Sequence, residues 1–304
     1  MHVPFPAGGA IFSVARSHNA ALLQMHTATV LFGLSAVFGR LIASSAAVLV
    51  CGRALFGVLF LGLLCCAVRD RPWLGISRRG LFGLALSGVL LTVHYVTFFH
   101  GIKLGGVAVG CLGFACFPVF TTLCEAFFFK ERPAAREYLL ILLVTIGLVL
   151  IAPSLSLADA ATVGLLWGVA SGAVYAVLAV ANRLAAVNVP GVKASWWQNT
   201  VIIACLLPFT AEGLASAPVW DWLWFGCLGV LCTGLAYTLY LASLAVLKAR
   251  LAAIIIALEP VYAILAAWLL LQDAPALRTL CGGALIVGAA LWAGRGYSKT
   301  PADR

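Results

Sequence analysis

Charged residues are scarce in this chain of 304 residues, and that scarcity excludes an ordinary soluble domain. Asp, Glu, Lys and Arg make up 10% of the sequence, whereas hydrophobic residues make up 63%. A soluble domain has about 25% charged and about 45–50% apolar residues. The mean hydropathy of +1.09 agrees with this contrast. Intrinsic disorder, a disulfide-stapled secreted domain and a nucleic-acid partner are therefore excluded, and the lipid bilayer is the expected solvent.

Patterns for metal binding and for catalysis are also missing. The ten Cys include no Cys-x-x-Cys pair, and they lie mostly in apolar runs, where they serve as small packing residues. The sequence contains no Walker A loop, no Gly-x-Ser-x-Gly and no His-Glu-x-x-His. We therefore predict that the protein is not an enzyme, holds no metal or cofactor, and does not use ATP directly.

Long apolar runs fill most of the chain instead. A helix that crosses a bilayer needs about 20 mostly apolar residues. These runs are continuous rather than alternating, which favours helices over a barrel, so the predicted fold is an all-α membrane protein. The ten candidate spans are residues 25–44, 47–68, 80–99, 105–128, 137–153, 161–182, 195–211, 220–243, 251–271 and 276–296.

The distribution of Lys and Arg predicts how these spans are oriented. If the N-terminus is cytoplasmic, most of the 19 Lys and Arg fall in cytoplasmic segments. The loops on the opposite side then carry acidic residues such as Asp159 and Glu212. Cytoplasmic loops of membrane proteins are enriched in Lys and Arg. We therefore expect a multi-pass protein of the bacterial cytoplasmic (inner) membrane, with both termini in the cytoplasm.

One segment of the sequence recurs. Residues 98–133 match residues 240–275 at an offset of 142 residues. The matches include Pro118 with Pro260, Glu131 with Asp273, and Pro133 with Pro275. Several matches at one offset indicate a duplication.

The duplication predicts two five-helix repeats of inverted topology. Because five is odd, the second copy enters the membrane from the opposite side. We predict repeats at 25–153 and 161–296, flanked by cytoplasmic tails at 1–24 and 297–304. Inverted repeats are common in secondary transporters, whose substrate site lies between the halves near the midplane.

The chain resembles the drug/metabolite transporter superfamily, in particular the EamA family, over about residues 25–297. The resemblance is carried by Leu31-Phe32-Gly33, by Arg53 early in the second span, and by the two recurring segments described above. Each recurring segment contains the fourth span of its repeat. In this family those motifs end in Gly-Glu-Arg, whereas here they read Lys130-Glu131-Arg132 and Gln272-Asp273-Ala274. The resemblance implies an exporter of small metabolites, often amino acids or related compounds.

Arg53 is the first candidate for a substrate-binding residue. A buried Arg costs several kcal/mol unless it is paired or solvated. In one interpretation it faces a cavity and binds an anionic group such as a carboxylate. In the other it reaches towards the membrane surface or forms a structural pair. Gln198 falls near the equivalent place in the second copy, so the positive charge is not duplicated.

Glu259 is the most informative acidic residue because it lies within a span, directly before Pro260. A proline invites a break in the helix, and a carboxyl beside that break can bind a cation or a proton. The alternative is a neutral structural acid. Phe117 is the counterpart of Glu259, whereas Pro118 keeps the helix-breaking proline of the other copy.

His94 and Tyr237 are chosen as further candidates to line the pathway. The alternative for each is a hydrogen bond between helices, worth about 0.6 kcal/mol in lipid. The other polar residues within or at the ends of spans are Tyr95, His100, Tyr175, Asn182, Tyr240 and Tyr262. Gly164, Gly168 and Gly172, spaced four residues apart, predict a close approach between helices.

The sequence thus predicts a secondary transporter that exports a small polar metabolite by alternating access. Its expected partners are that substrate and membrane lipid, and the protein is a monomer or a homodimer. One alternative is a transporter of nucleotide sugars or lipid carriers with the same fold. The other is a membrane scaffold or sensor without flux, which would not need Arg53 and Glu259.

Overall fold

The computed structural model describes residues 17–130, 135–152, 154, 156–185, 189–247 and 249–296. Within these ranges the chain forms helices and no strand. Six helices are long and apolar enough to cross a membrane, and shorter apolar helices accompany them. The prediction of an all-α membrane protein is confirmed. Both predicted tails fall largely outside the described residues.

Among the described residues, the first repeat contains five helices and the second contains eight helical segments, one of them π-helical. The first repeat comprises α1 (His18–Leu41), α2 (Ala46–Ala67), α3 (Arg78–Phe114), α4 (Phe117–Phe129) and α5 (Ala135–Ile151). The second comprises α6 (Ala160–Ala185), α7 (Gly191–Ala215), α8 (Val219–Gly226), a π-helical segment (Cys227–Leu235), α9 (Ala236–Leu244), α10 (Ala249–Ile256), α11 (Glu259–Leu271) and α12 (Leu277–Gly296).

Serine side chains determine where the first three helices begin. Ser17 accepts a hydrogen bond from the Ala20 backbone N–H, and Ser45 and Ser77 cap α2 and α3 in the same way. These caps satisfy backbone donors that a helix start leaves unpaired. Because of the Ser17 cap, α1 begins at His18, several residues before the predicted start of its span.

Polar contacts also stabilise the start of α6. The backbone N–H of Ala161 donates to Asp159 Oδ1 over 2.9 Å, and the Ser154 hydroxyl donates to Asp159 Oδ2 over 3.0 Å. These donors favour the ionised carboxyl and hold the pKa of Asp159 below its usual value. A negative charge is favourable at this end of a helix.

The chain reverses direction inside α3, at Gly106. Its backbone has φ 82° and ψ 170°, a conformation that glycine adopts at little cost. After the reversal the chain runs back along itself, because a Cβ at Gly110 would lie 3.0 Å from the Ile102 backbone nitrogen. The element α3 therefore contains the predicted third span and the beginning of the fourth.

The duplicated segments have the same helix boundaries. Helices α4 and α11 are each 13 residues long, start with a proline in the first turn and end at a left-handed residue. The left-handed residues are Lys130 and Gln272, with φ 54° and 58°, at the predicted offset. The two-repeat organisation is confirmed. The other matched residues of the first copy, Glu131 and Pro133, lie outside the described residues.

Glycines allow the closest helix contacts. A Cβ at Gly101 of α3 would lie 2.8 Å from the Gly164 carbonyl oxygen and 3.0 Å from the Gly168 nitrogen of α6. Contacts this short require small residues at both helices. A similar approach joins α1 to α11, where a Cβ at Gly33 would lie 2.9 Å from the Ala263 nitrogen.

Polar contacts join the two repeats at each end of the bundle. At one end, Asp221 accepts from the Ala43 and Ser44 backbone N–H groups over 3.0 and 2.8 Å. At the other end, Lys193 Nζ lies 2.6 Å from Asp70 Oδ1 and donates to the Leu74 carbonyl over 3.1 Å. These contacts join the α1–α2 loop to α8, and the α2–α3 loop to α7.

Candidate functional site

A cavity of about 340 Å³ lies between the two repeats. Four predicted site residues, Arg53, His94, Tyr237 and Glu259, all line it, from helices α2, α3, α9 and α11. The remaining polar lining residues include Ser35, Tyr95, Tyr175, Asn182, Ser195, Gln198, Asn199, Thr233 and Tyr240, and the apolar ones include Phe32, Leu91, Phe98 and Phe114.

Arg53 is held deep inside the bundle. Its side chain is 3% exposed, and Nη2 donates to Thr233 Oγ1 over 2.7 Å. The guanidinium carbon lies 4.1 Å from the centre of the Tyr95 ring, a cation–π distance. Arg53 Nε is buried and has no hydrogen-bond partner. Among the described residues, no carboxylate pairs with Arg53.

The π-helical segment supplies the oxygen that accepts the hydrogen bond from Arg53. The Thr233 hydroxyl donates to the Leu228 carbonyl, five residues earlier, over 2.9 Å. Its proton is thereby engaged, so the oxygen is free to accept from Arg53. Such i to i+5 segments occur frequently at functional sites. Thr233 joins the second repeat to the first at the wall of the cavity.

Glu259 is the first residue of α11 and is only partly exposed. A carboxylate is favoured at a helix N-terminus. In the described part of the chain, its carboxyl takes part in no hydrogen bond and no ion pair. Neither Pro260 nor Pro118 lines the cavity. Both prolines start a new helix after a break instead.

His94 both lines the cavity and contacts a neighbouring helix. Its Nδ1 lies 2.8 Å from Ser171 Oγ of α6. The imidazole is 5% exposed, and its centroid lies 5.0 Å from those of Tyr95 and Tyr175. The interhelical hydrogen bond left open by the sequence is thus present. Tyr237 lines the cavity from α9, and its ring centroid lies 6.1 Å from that of Tyr240.

A group of amides lies in the cavity wall, and the sequence analysis, which named Asn182 and Gln198 without choosing them as site residues, missed Asn199. Gln198 Nε2 donates to Ser87 Oγ over 3.0 Å and to Asn182 Oδ1 over 3.3 Å. Beside it, Asn199 is 1% exposed and its Oδ1 has no partner. The signal was available, because Gln198-Asn199 is an amide pair within an apolar helix.

These features define a class of protein. Two repeats with broken helices enclose a polar cavity inside a membrane bundle, which is the architecture of a membrane transporter. The model of the EamA-like transporter family matches residues 19–152 and 162–295. The chain therefore belongs to the EamA-like transporter family.

Similar proteins agree with this assignment. An uncharacterized transporter of Archaeoglobus fulgidus is 29% identical over 285 residues, 93% of this chain and 98% of the relative. The uncharacterized transporter YxxF of Bacillus subtilis is 24% identical, over 82% of this chain and 81% of the relative. A solved crystal structure with 22% identity has a TM-score of 0.60, over 91% of this chain and 97% of that one, a likeness of fold.

Proposed function

We propose that this transporter exports a small zwitterionic metabolite, an amino acid or a related compound, from the cytoplasm. It would do so by alternating access through ten spans, with both termini in the cytoplasm. The observation that carries the proposal is that Arg53 and Glu259 face one cavity without pairing with each other or with another charged residue that the structure describes.

Arg53 is suited to bind the carboxylate of the substrate. A guanidinium forms short, strong hydrogen bonds with carboxylates. Its Nη2 is directed by Thr233, whereas its Nε is buried without a partner. Removing a charged donor from water without a partner is costly. A carboxylate bound in the cavity would offset the charge.

Glu259 is suited to carry a proton in exchange for substrate. An isolated carboxyl in a low-dielectric environment favours its neutral form, and an approaching cation favours the ionised form. Glu259 is the first residue of α11, directly after a break between helices. A change in its charge would therefore act at the start of that helix. Proton uptake from outside and release to the cytoplasm would then drive export.

Alternating access would break the contacts at the two ends of the bundle in turn. Asp221 with the α1–α2 loop and Lys193 with Asp70 each connect opposite repeats.

A nucleotide sugar is disfavoured as substrate, since Arg53 is the one Lys or Arg among the described lining residues. Its two phosphates would call for further cations.

Flux through the purified protein tests this proposal. Liposomes containing the protein would be loaded with a mixture of amino acids and related metabolites, and efflux would be followed by mass spectrometry. We expect at least one zwitterionic compound to leave faster than from protein-free liposomes. Release of no compound, or of cations or phosphorylated compounds alone, would contradict the proposal. Overexpression in cells, with analysis of the medium, would then establish direction.

A further inference from the structure

The α2–α3 loop and the first turn of α3 carry an exposed patch of positive charge at residues 69–79, which we call the arginine loop. Its four arginine side chains are exposed and, within the described part of the chain, form no hydrogen bond and no ion pair; they are Arg69, Arg71, Arg78 and Arg79. Asp70 is the one acidic residue of the loop, and its carboxylate is already paired with Lys193 over 2.6 Å. The positive charge of the loop is therefore uncompensated.

Two large apolar side chains are exposed in the same loop. Trp73 and Leu74 are 52% and 53% exposed. The loop joins α2 to α3, which are both long and apolar enough to cross the membrane, so it lies at the membrane surface. Tryptophan is enriched at this depth, where its ring meets both acyl chains and headgroups. These side chains are therefore suited to enter lipid.

The arginine loop is held in place by α7. Asp70 pairs with Lys193, and the Pro72 carbonyl oxygen accepts a hydrogen bond from Trp197 Nε1 over 3.1 Å. Exposed side chains alternate with these two anchoring residues along the loop; they are Arg69, Arg71 and Trp73. Because α7 already fixes the backbone, the loop loses little conformational freedom when the exposed side chains bind a partner.

We propose that the arginine loop binds the phosphate headgroups of anionic lipids, with Trp73 at the boundary of the acyl chains. Guanidinium groups bind phosphate through two parallel hydrogen bonds. Basic residues next to a spanning helix attract anionic lipids. A zwitterionic headgroup has no net charge to offset the four arginines, so the loop should select lipids that carry a net negative charge.

This surface is separate from the cavity, because none of residues 69–79 lines it. The inference therefore does not depend on which substrate the cavity binds. The loop also contains Asp70, whose pair with Lys193 joins the repeats. A lipid bound to the loop would thus act on one end of the bundle without contacting the substrate site.

Quenching of Trp73 by labelled lipid tests the proposal. The purified full-length protein would be reconstituted in vesicles of equal amounts of phosphatidylglycerol and phosphatidylcholine, with bromine on the acyl chains of one lipid or the other. The signal of Trp73 is the difference between the wild type and Trp73→Phe. We expect phosphatidylglycerol to quench Trp73 at least about fivefold more than phosphatidylcholine does, the value of one arginine at a charged surface.

Neutral variants of the arginines should remove this preference. Arg71→Gln and Arg78→Gln together, compared with the same variant carrying Trp73→Phe, should bring the quenching ratio close to one. Both positions are exposed, so the substitutions disturb no packing. Lys130→Gln is the matched control, because Lys130 is also exposed and the counterpart Gln272 shows that glutamine adopts the same left-handed backbone. It should leave the ratio unchanged.

Trp220 provides a second control at the start of α8. It is 70% exposed but is followed by Asp221 instead of being flanked by arginines, so the ratio obtained from Trp220→Phe should be about one. A ratio of one at Trp73, or an equal preference at both tryptophans, would overturn the proposal. An equal loss of preference in Lys130→Gln would do so too. If inorganic phosphate abolished the preference, whereas chloride at the same ionic strength did not, the arginines would bind a soluble anion instead of lipid.

Discussion

Arg53 Nη2 donates to Thr233 Oγ1 over 2.7 Å, which joins the first repeat to the π-helical segment of the second. Within a membrane bundle this hydrogen bond fixes the direction of the guanidinium, while its cation–π contact with Tyr95 shields the charge. Its Nε is buried without a hydrogen-bond partner. Arg53 is therefore held in place before a substrate arrives.

Substitution of Arg53 should abolish transport without preventing insertion. Arg53→Gln removes the charge that we propose binds the carboxylate, so we expect the export rate to fall at least about tenfold. Arg53→Lys should retain part of it, because the charge remains but the planar fork is lost. Rates would be measured in liposomes, with Lys130→Gln, at an exposed position, as the control. Full transport by Arg53→Gln would leave Arg53 a structural residue.

Thr233→Val should destabilise the protein by leaving Arg53 Nη2 without its acceptor. The expected cost is about 1–3 kcal/mol in the free energy of unfolding, measured by denaturant titration in micelles. Thr238→Val is the matched control, because the Thr238 hydroxyl donates to the Gly234 carbonyl four residues earlier and does not join the two repeats. If both variants lost the same stability, the link between the repeats would contribute nothing of its own.

Glu259→Gln should uncouple export from the proton gradient. Glutamine mimics a permanently protonated carboxyl, so exchange of substrate between equal pools should continue while uphill export is lost. Transport by purified protein in liposomes, with and without a pH gradient, provides the measurement, and Glu212→Gln at an exposed position serves as control. A wild type indifferent to pH, or a variant that responds as the wild type does, would favour facilitated diffusion.

Gly101→Ala should separate α3 from α6. Its methyl group would lie 2.8 Å from the Gly164 carbonyl oxygen, and backbone atoms cannot yield as a side chain can. We expect a loss of about 1–3 kcal/mol in the free energy of unfolding, typical of overpacking. At Gly288 no atom lies within 4 Å of the added Cβ, so Gly288→Ala should be neutral or slightly stabilising. Equal effects would mean that the close approach is not required.

Reporter fusions test the inverted arrangement of the repeats. A reporter that is active only in the cytoplasm should work at residue 304 and in the loop at 71–78, and fail at 155–160. This pattern follows from the distribution of Lys and Arg and from an odd number of spans in each repeat. Activity at both residue 304 and the 155–160 loop would contradict it.

The class of the protein and its duplication could be predicted from the sequence alone. Hydropathy is a property of consecutive residues, and a helix in lipid satisfies its own backbone, so apolar runs predict helices without tertiary information. The offset that aligns Pro118 with Pro260 likewise follows from residue order. The sequence also showed that Arg53 and Glu259 lie within spans, where charges are costly.

The tertiary structure decided which of these side chains meet. The reversal at Gly106, the contact of Arg53 with Thr233 and the free oxygen of Asn199 all depend on how helices are rotated and crossed. Neighbours on different repeats are separated by well over a hundred residues, and no local pattern specifies their contacts. The sequence determined which polar groups enter the membrane. Helix packing determined which were paired and which remained unsatisfied around the cavity, because a hydrogen bond requires atoms within about 3 Å.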